Sequence, residues 1–391
     1  MNINTNSNIN VVINNTKKFN SGLSMARRIV SKRDSMSNPY FGVIRVKFDE
    51  DKVTVESNDL TNSIRLEIAA NELDMNVTGG GVLYLTEKAC DWIGRTDVPL
   101  SIEADDSSIK IHAGEDMIDV SLEKETFKDY DFVDLNEVDQ DAQKISVVTS
   151  SFANAIRSCA ANSYVEEQRC KGVAITEYNG MVEVSSYWKA GGKLCWCHVP
   201  AKNAEGASAW LEAATISKVA QTISDYAQEN KIEFANLFIM NRCCWVKCGS
   251  LLVYSHGLAG EPLDIHQFEN RFDWEDSIVV SRKDILNGLN NLKCFTGDEF
   301  IVLSLEKDKV CIYPQKNLSR ARSVVSYQDS HIELTNEKIT VDLSAFLDVF
   351  SNLPENNENV TIMFCRDKRK TSPMRIEAGM FTSMMMPSVK E

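Results

Sequence analysis

The chain has 391 residues, a formal charge of −14, 43% hydrophobic and 25% charged content. That length exceeds one ordinary core and suits two or three domains, and the composition is that of a folded protein rather than a disordered one. No apolar run is long enough to span a bilayer, and the polar opening MNINTNSNIN lacks an export signal, so the sequence predicts a cytoplasmic protein with eleven reduced cysteines.

Taken in chain order, one unit recurs three times. It reads VVINNTKKFNSGLSMA from Val11, VVTSSFANAIRSCA from Val147 and IVVSRKDILNGLNNL from Ile278. Each is a β-branched strand, a polar helix start and apolar positions three or four apart. The leading apolar helix residues Phe19, Phe152 and Ile285 are spaced 133 residues apart twice over. A second strand-to-helix unit lies inside each third, at Val82, Trp210 and Ile339, with Thr86, Thr215 and Ser344 placed to cap helix starts. Strict alternation in SIRLEI (63–68), SIKIHAG (108–114) and MIDVSL (117–122) predicts half-buried strands. Asn179-Gly180 predicts a two-residue hairpin, and Gly191-Gly192 a second turn. The fold class is therefore α+β: three similar domains at 1–141, 142–272 and 273–391, each made of two strand–helix–sheet halves with antiparallel sheets.

The charge is segregated. Residues 103–141 carry 14 acids against 3 bases, whereas residues 16–34 carry 6 bases against 1 acid. Such runs are ordinarily solvated faces, but separation on this scale also suits faces with different tasks.

Motifs for chemistry are weak. Cys195, Cys197 and His198, and Cys243, Cys244 and Cys248, offer soft ligands without the two-residue knuckle of structural zinc sites. On strands they read as small core residues, so neither metal nor cofactor is expected. Gly79-Gly80-Gly81 reads as a flexible connection, since no Gly-Lys-Ser/Thr follows. The five histidines join no catalytic signature, and no catalytic residue is assigned.

The second third holds RCKGVAITEYNGMVEVSSYWKAGGKLCWCHVP (169–200), then GEPLDIHQF (260–268), and the last third ends in MMMPS (384–388). Together with the 133-residue period, these stretches resemble the bacterial-type DNA sliding clamps, the β subunit family of DNA polymerase III. The resemblance spans nearly the whole chain. It implies a non-enzymatic processivity factor: a head-to-tail homodimer ring that encircles double-stranded DNA without reading sequence, helices lining the channel and sheets outside. It further implies a replicative DNA polymerase, a clamp loader and repair proteins with a short binding motif as partners, no membrane, and nucleoid association in the cytoplasm.

Carried over residue by residue, the resemblance places a partner-peptide pocket at Cys170, Gly191, Gly192, Lys193, Leu194, Leu263, Phe268, Met384, Met386, Pro387 and Ser388. The DNA-facing set is Lys17, Lys18, Arg27, Arg28, Lys32, Arg33, Lys88, Arg95, Arg157, Lys218, Arg282 and Lys283, and the ring contact is Ile118, Val120 and Leu292. The family's His-Arg turn is Gly192-Lys193 here, which removes an aromatic wall and marks a divergent member. A non-encircling three-domain scaffold and a cysteine- or zinc-dependent enzyme are the alternatives.

Overall fold

The computed structural model describes residues 8–30, 42–59, 61–105, 108–121, 144–163, 172–188, 192–240, 243–295, 299–316, 321–333, 337–354, 357–366 and 371–388. Among the described residues, leaving aside the one-turn α2, six strands each lead into a helix. β1 (Ile9–Ile13) enters α1 (Lys17–Arg27), followed by β2 (Val43–Phe48), β3 (Lys52–Asn58), β4 (Asn62–Ala69), a short α2 (Ala70–Leu73) and β5 (Met75–Gly79). β6 (Gly81–Thr86) enters α3 (Glu87–Ile93), followed by β7 (Leu100–Ala104), β8 (Ser108–Ala113) and β9 (Asp116–Ser121).

The pattern then repeats. β10 (Lys144–Val148) enters α4 (Thr149–Ala161), followed by β11 (Gly172–Tyr178), β12 (Met181–Trp188), β13 (Lys193–Val199) and β14 (Ala201–Lys202). β15 (Ser208–Glu212) enters α5 (Ala213–Asn230), followed by β16 (Phe234–Met240), β17 (Cys243–Cys248) and β18 (Leu251–Ser255). After the one-turn α6 (His266–Glu269), β19 (Asp276–Ser281) enters α7 (Arg282–Phe295), followed by β20 (Phe300–Leu305), β21 (Lys309–Pro314) and β22 (Ser323–His331). β23 (Glu337–Asp342) enters α8 (Leu343–Ser351), followed by β24 (Asn359–Phe364), β25 (Met374–Ala378) and β26 (Phe381–Met385).

Strand order carries the repeat. The orders β4-β3-β2-β6, β13-β12-β11-β15 and β22-β21-β20-β23 are one pattern, and β1-β7-β8-β9, β10-β16-β17-β18 and β19-β24-β25-β26 are the other. By contact the chain divides into two compact units, Met1–Thr149 with Lys218–Gly257, and Ser150–Ser217 with Leu258–Glu391. In the first, β18 pairs antiparallel with β4, Val253 opposite Ile64. In the second, β13 pairs antiparallel with β26, Leu194 opposite Met384. Each pairing joins the end strand of one pattern to the end strand of the other, so half-sheets from different thirds fuse.

Packing repeats as well. Phe19, Phe152 and Ile285 are all buried. Three residues on stand Gly22, Ala155 and Gly288, each small, because the helix lies close on its sheet. A Cβ on Gly22 would meet Leu66 Cδ2 at 3.0 Å, and one on Gly288 would meet Ser323 Oγ at 2.4 Å.

Local chemistry explains the ends. Asn179 and Gly180 take φ of 51° and 77°, the left-handed pair of a tight hairpin between β11 and β12. Thr86 caps α3 as expected, accepting from Ala89 N at 3.3 Å. The other two caps differ from expectation. Asp342, two residues before Ser344, caps α8 by accepting from Ala345 N at 2.8 Å, and Thr215 instead donates to Glu212 O at 3.2 Å. Asp342 prevails because a carboxylate also complements the helix dipole. The Gly79–Gly81 stretch is a close strand-to-strand passage, not a slack connection: a Cβ on Gly79 would lie 2.0 Å from Asn8 O. Among the described residues no helix is long and apolar enough to cross a membrane.

Candidate partner-binding and DNA-facing sites

The candidate pocket residues lie in the second unit. Alternation along β13 and β26 sorts them by face. Leu194, Trp196 and Met384 share one face, where Trp196, Ile265 and Met384 form a buried apolar cluster with Leu194, Phe272 and Trp274 packed on it. Met385 is buried at 1% exposure, and Met386, just past the strand, is 42% exposed. Met386 N donates to Gly192 O at 2.9 Å, and Ser388 N donates to Thr340 O at 2.8 Å, which pins the segment on either side of the buried Pro387. Leu263 and Phe268 are half-buried on the segment that carries Ile265, with the Arg271 guanidinium 5.2 Å from the Phe268 ring.

Lys193 is placed differently from its neighbours. It shares the face of Cys195 and Cys197, is buried, and its Nζ donates to Asn162 Oδ1 at 3.0 Å. That ammonium points away from the apolar cluster. Cys170 and Gly191 lie outside the described residues. Sequence reasoning missed Trp196, Ile265, Phe272 and Trp274. The signal was present: an aromatic two residues from Leu194 shares its face. The Trp274 indole N–H is buried with no acceptor among the described residues.

No family model matches the chain, and no curated protein matches its sequence. Solved structures do. The DNA polymerase sliding clamp from Bacillus subtilis superposes with a TM-score of 0.80 at 16% identity, covering 98% of this chain and 100% of that one. The DNA polymerase III β chain from Streptococcus pneumoniae gives 0.79 at 15% identity over the same shares. The Pseudomonas aeruginosa sliding clamp bound to griselimycin gives 0.79 at 14%, again covering 98% and 100%. This chain has the sliding-clamp fold.

Within that fold the expected basic residues divide by environment. Lys17, Lys88, Arg95, Lys218 and Lys283 are exposed and Arg157 is half-buried. Lys17 and Arg95 line one shallow hollow of about 480 Å³ with Asn14, Asn15 and Asn20. Others are engaged by acids. Lys18 pairs with Glu72, Arg27 with Asp91 at 2.6 Å, and Arg28 with Asp225 at 2.6 Å. Arg282 serves the end of α8: its guanidinium donates to Phe350 O, Pro354 O and Ser351 O at 3.0–3.1 Å. Lys32 and Arg33 lie outside the described residues.

Of the expected ring-contact residues, Ile118 is half-buried and Val120 follows it on β9, which ends the sheet β5-β1-β7-β8-β9. Leu292 is 2% exposed, inside the core beneath α7, and offers little surface to another molecule. Two large apolar side chains stand open near strand edges, Met117 on β9 at 51% and Val324 on β22 at 50% exposure.

The sulfur clusters hold core residues. Cys195, Cys197, Cys243, Cys244 and Cys248 are buried and unpaired by disulfides. Burial pushes the Cys197 and Cys244 thiols up to about 12, so they stay protonated and poor ligands at neutral pH.

Proposed function

We propose that the protein is a DNA sliding clamp: a divergent, non-enzymatic processivity factor of the DNA polymerase III β subunit family, acting in the cytoplasm on nucleoid DNA. Two chains close head to tail around duplex DNA, and the thirds 1–141, 142–272 and 273–391 act as its repeating domains. The observation that carries the reading is the open end of the joining pattern. β18 pairs with β4 and β13 pairs with β26. By the same rule β9 belongs beside the first half of β22. Among the described residues β9 pairs only with β8, and Ser323–Ser326 of β22 only with β21. An unpaired edge is a template for another chain, and a heterologous contact that closes after two copies makes a ring.

Lys17, Lys88, Arg95, Arg157, Lys218 and Lys283 supply phosphate contacts, which hold the duplex without reading bases. Ion pairing of Lys18, Arg27 and Arg28 keeps that field weak, as sliding requires. The apolar cluster around Met384, with Leu263, Phe268, Met386 and Pro387 at its border, receives a short motif from a replicative polymerase, a loader or repair proteins. Methionine side chains re-form around different ligands.

The test loads the protein with a clamp loader onto nicked circular DNA, then linearises it. Release on linearisation supports the encircling ring; retention on DNA with unblocked ends overturns it. For the pocket, Met386→Ala combined with Pro387→Ala is expected to abolish capture of a clamp-binding peptide at unchanged oligomeric mass. Unchanged peptide affinity removes the assignment.

A further inference from the structure

Beside the apolar cluster lies a polar one that the clamp reading does not use. Glu183 on β12 faces His198 on β13 in direct cross-strand register. The Glu183 carboxylate is 4% exposed, and one of its oxygens, Oε2, meets two imidazoles: His198 Nε2 at 3.0 Å and His266 Nε2 at 2.7 Å. The Tyr178 ring lies parallel to both imidazoles, with centroids 5.1 Å from His198 and 3.9 Å from His266, and the two imidazoles are 6.4 Å apart. This fixes both ring planes. His266 also has a second carboxylate behind it, since its Nδ1 lies 2.9 Å from Glu269 Oε2. Glu269 is in turn held by Arg375, which also binds Glu377.

We propose that Glu183, His198 and His266 form a binding site for a divalent transition-metal ion of the zinc class. Three arguments converge. First, a neutral imidazole has one N–H, yet both nitrogens of His266 face carboxylate oxygens. With a cation at Nε2, the Nδ1–H donates to Glu269 and no lone pair opposes another. Second, that Nδ1–carboxylate contact is the outer-shell arrangement that orients metal-bound histidines, and here a guanidinium braces it. Third, the cluster sets three carboxylates against one guanidinium, so a dication meets the charge that Arg375 leaves unbalanced.

Two imidazole nitrogens and one carboxylate oxygen suit zinc, whereas calcium and magnesium prefer all-oxygen sets. Tetrahedral zinc with bonds of about 2.0–2.1 Å holds its ligand atoms about 3.3 Å apart, so the imidazole nitrogens move out from Glu183 by about 0.3 and 0.6 Å, and all three ligand atoms already lie within 4.8 Å of one another. Three protein ligands leave a fourth position for water. Because Ile265 and Phe268 flank His266 in sequence, the ion ties the wall of the apolar cluster to the sheet. The spacing of 83 residues between Glu183 and His266 hides this set from any motif scan.

The test uses the full chain, stripped with chelator and titrated with zinc chloride by calorimetry, with elemental analysis after gel filtration. About one zinc per chain is expected, weakened at least tenfold in both Glu183→Gln and His266→Asn, and not displaced by millimolar magnesium or calcium. Cobalt is expected to give a visible spectrum without thiolate charge-transfer bands and to quench Trp196, whose ring centroid is 6.4 Å from that of His266. Histidine-selective NMR on the unaltered protein reads the site without any variant: two imidazoles are to shift on zinc addition. Undiminished zinc binding in both variants assigns the metal to thiols and overturns the site. Histidine resonances that move with pH but not with zinc overturn it too, in favour of a proton between the carboxylates.

Discussion

A β-carbon on Gly192 would stand 2.8 Å from both Cβ and Cγ of Met386. Gly192 also takes φ of +56°, where an L side chain is strained. The turn and the exposed methionine are therefore a matched pair, since the backbone comes within hydrogen-bonding distance of Met386 only because nothing stands between. Gly192→Ala is expected to cost about 1–3 kcal/mol from strain and displacement, measured by denaturant unfolding. It is also expected to weaken clamp-peptide binding at least fivefold, measured by fluorescence anisotropy. At this position a larger side chain and Met386 exclude one another.

How much of this was legible in the sequence depends on the length scale of the interaction. The 133-residue period of Phe19, Phe152 and Ile285 announced the repeat because each side chain answers to its own helix and sheet, and Asn179-Gly180 announced its hairpin for the same reason. The burial of Lys193 was legible in principle, since it alternates with Leu194 and shares the face of Cys195, but a charged residue invites an exposed reading. Arg282 read as a DNA contact because its carbonyl partners lie about seventy residues away. The Glu183–His198–His266 set was not legible at all: it is assembled by strand pairing and by a loop that returns to the sheet.

Arg282 and its neighbour Lys283 separate structure from function by one residue. Arg282→Met removes three hydrogen bonds to the end of α8 and is expected to cost about 1–3 kcal/mol of stability, with the salt dependence of DNA binding unchanged. Lys283→Ala is expected to leave the melting temperature unchanged and to lower the salt slope of DNA binding by about one, the share of a single neutralised phosphate. A thermal melt and a salt titration on each variant distinguish the two.

Thiol chemistry follows burial. Cys294 is exposed, while Cys90, Cys197 and Cys244 are buried, and burial pushes each of the three up to about 12. At pH 8 their thiolate fraction is on the order of one in ten thousand. Labelling with a chromogenic disulfide is expected to modify Cys294 within minutes and these three only after unfolding. Fast modification of all four on peptide mapping contradicts the packing described.

Asp59 sets a pH dependence of definite sign. Burial raises its carboxyl above the ordinary 3.8, although Oδ1 accepts from Asn62 N at 2.7 Å and Thr61 N at 3.1 Å. The folded state therefore holds the proton more tightly than the unfolded chain, and stability is lost as pH rises from 3.8 through the folded value. Asp59→Asn keeps the acceptor and removes the buried charge. Urea unfolding is expected to show the variant more stable at pH 7, with the advantage vanishing below pH 3.8.

The edges of β9 and β22 bear on the oligomer. Met117 and Val324 are half exposed, and among the described residues β9 and the Ser323–Ser326 half of β22 each pair on one side alone, an arrangement that is a template for another chain. An exposed apolar side chain on each of two strand segments that the joining rule would place together suits a partner that covers both. Met117→Asp with Val324→Asp introduces like charges across that joint, where directly opposed like charges destabilise pairing. Light scattering on the parent protein is expected to give the mass of two chains, and on the double variant the mass of one, with unchanged circular dichroism. A double variant that keeps the dimer mass places the joint elsewhere.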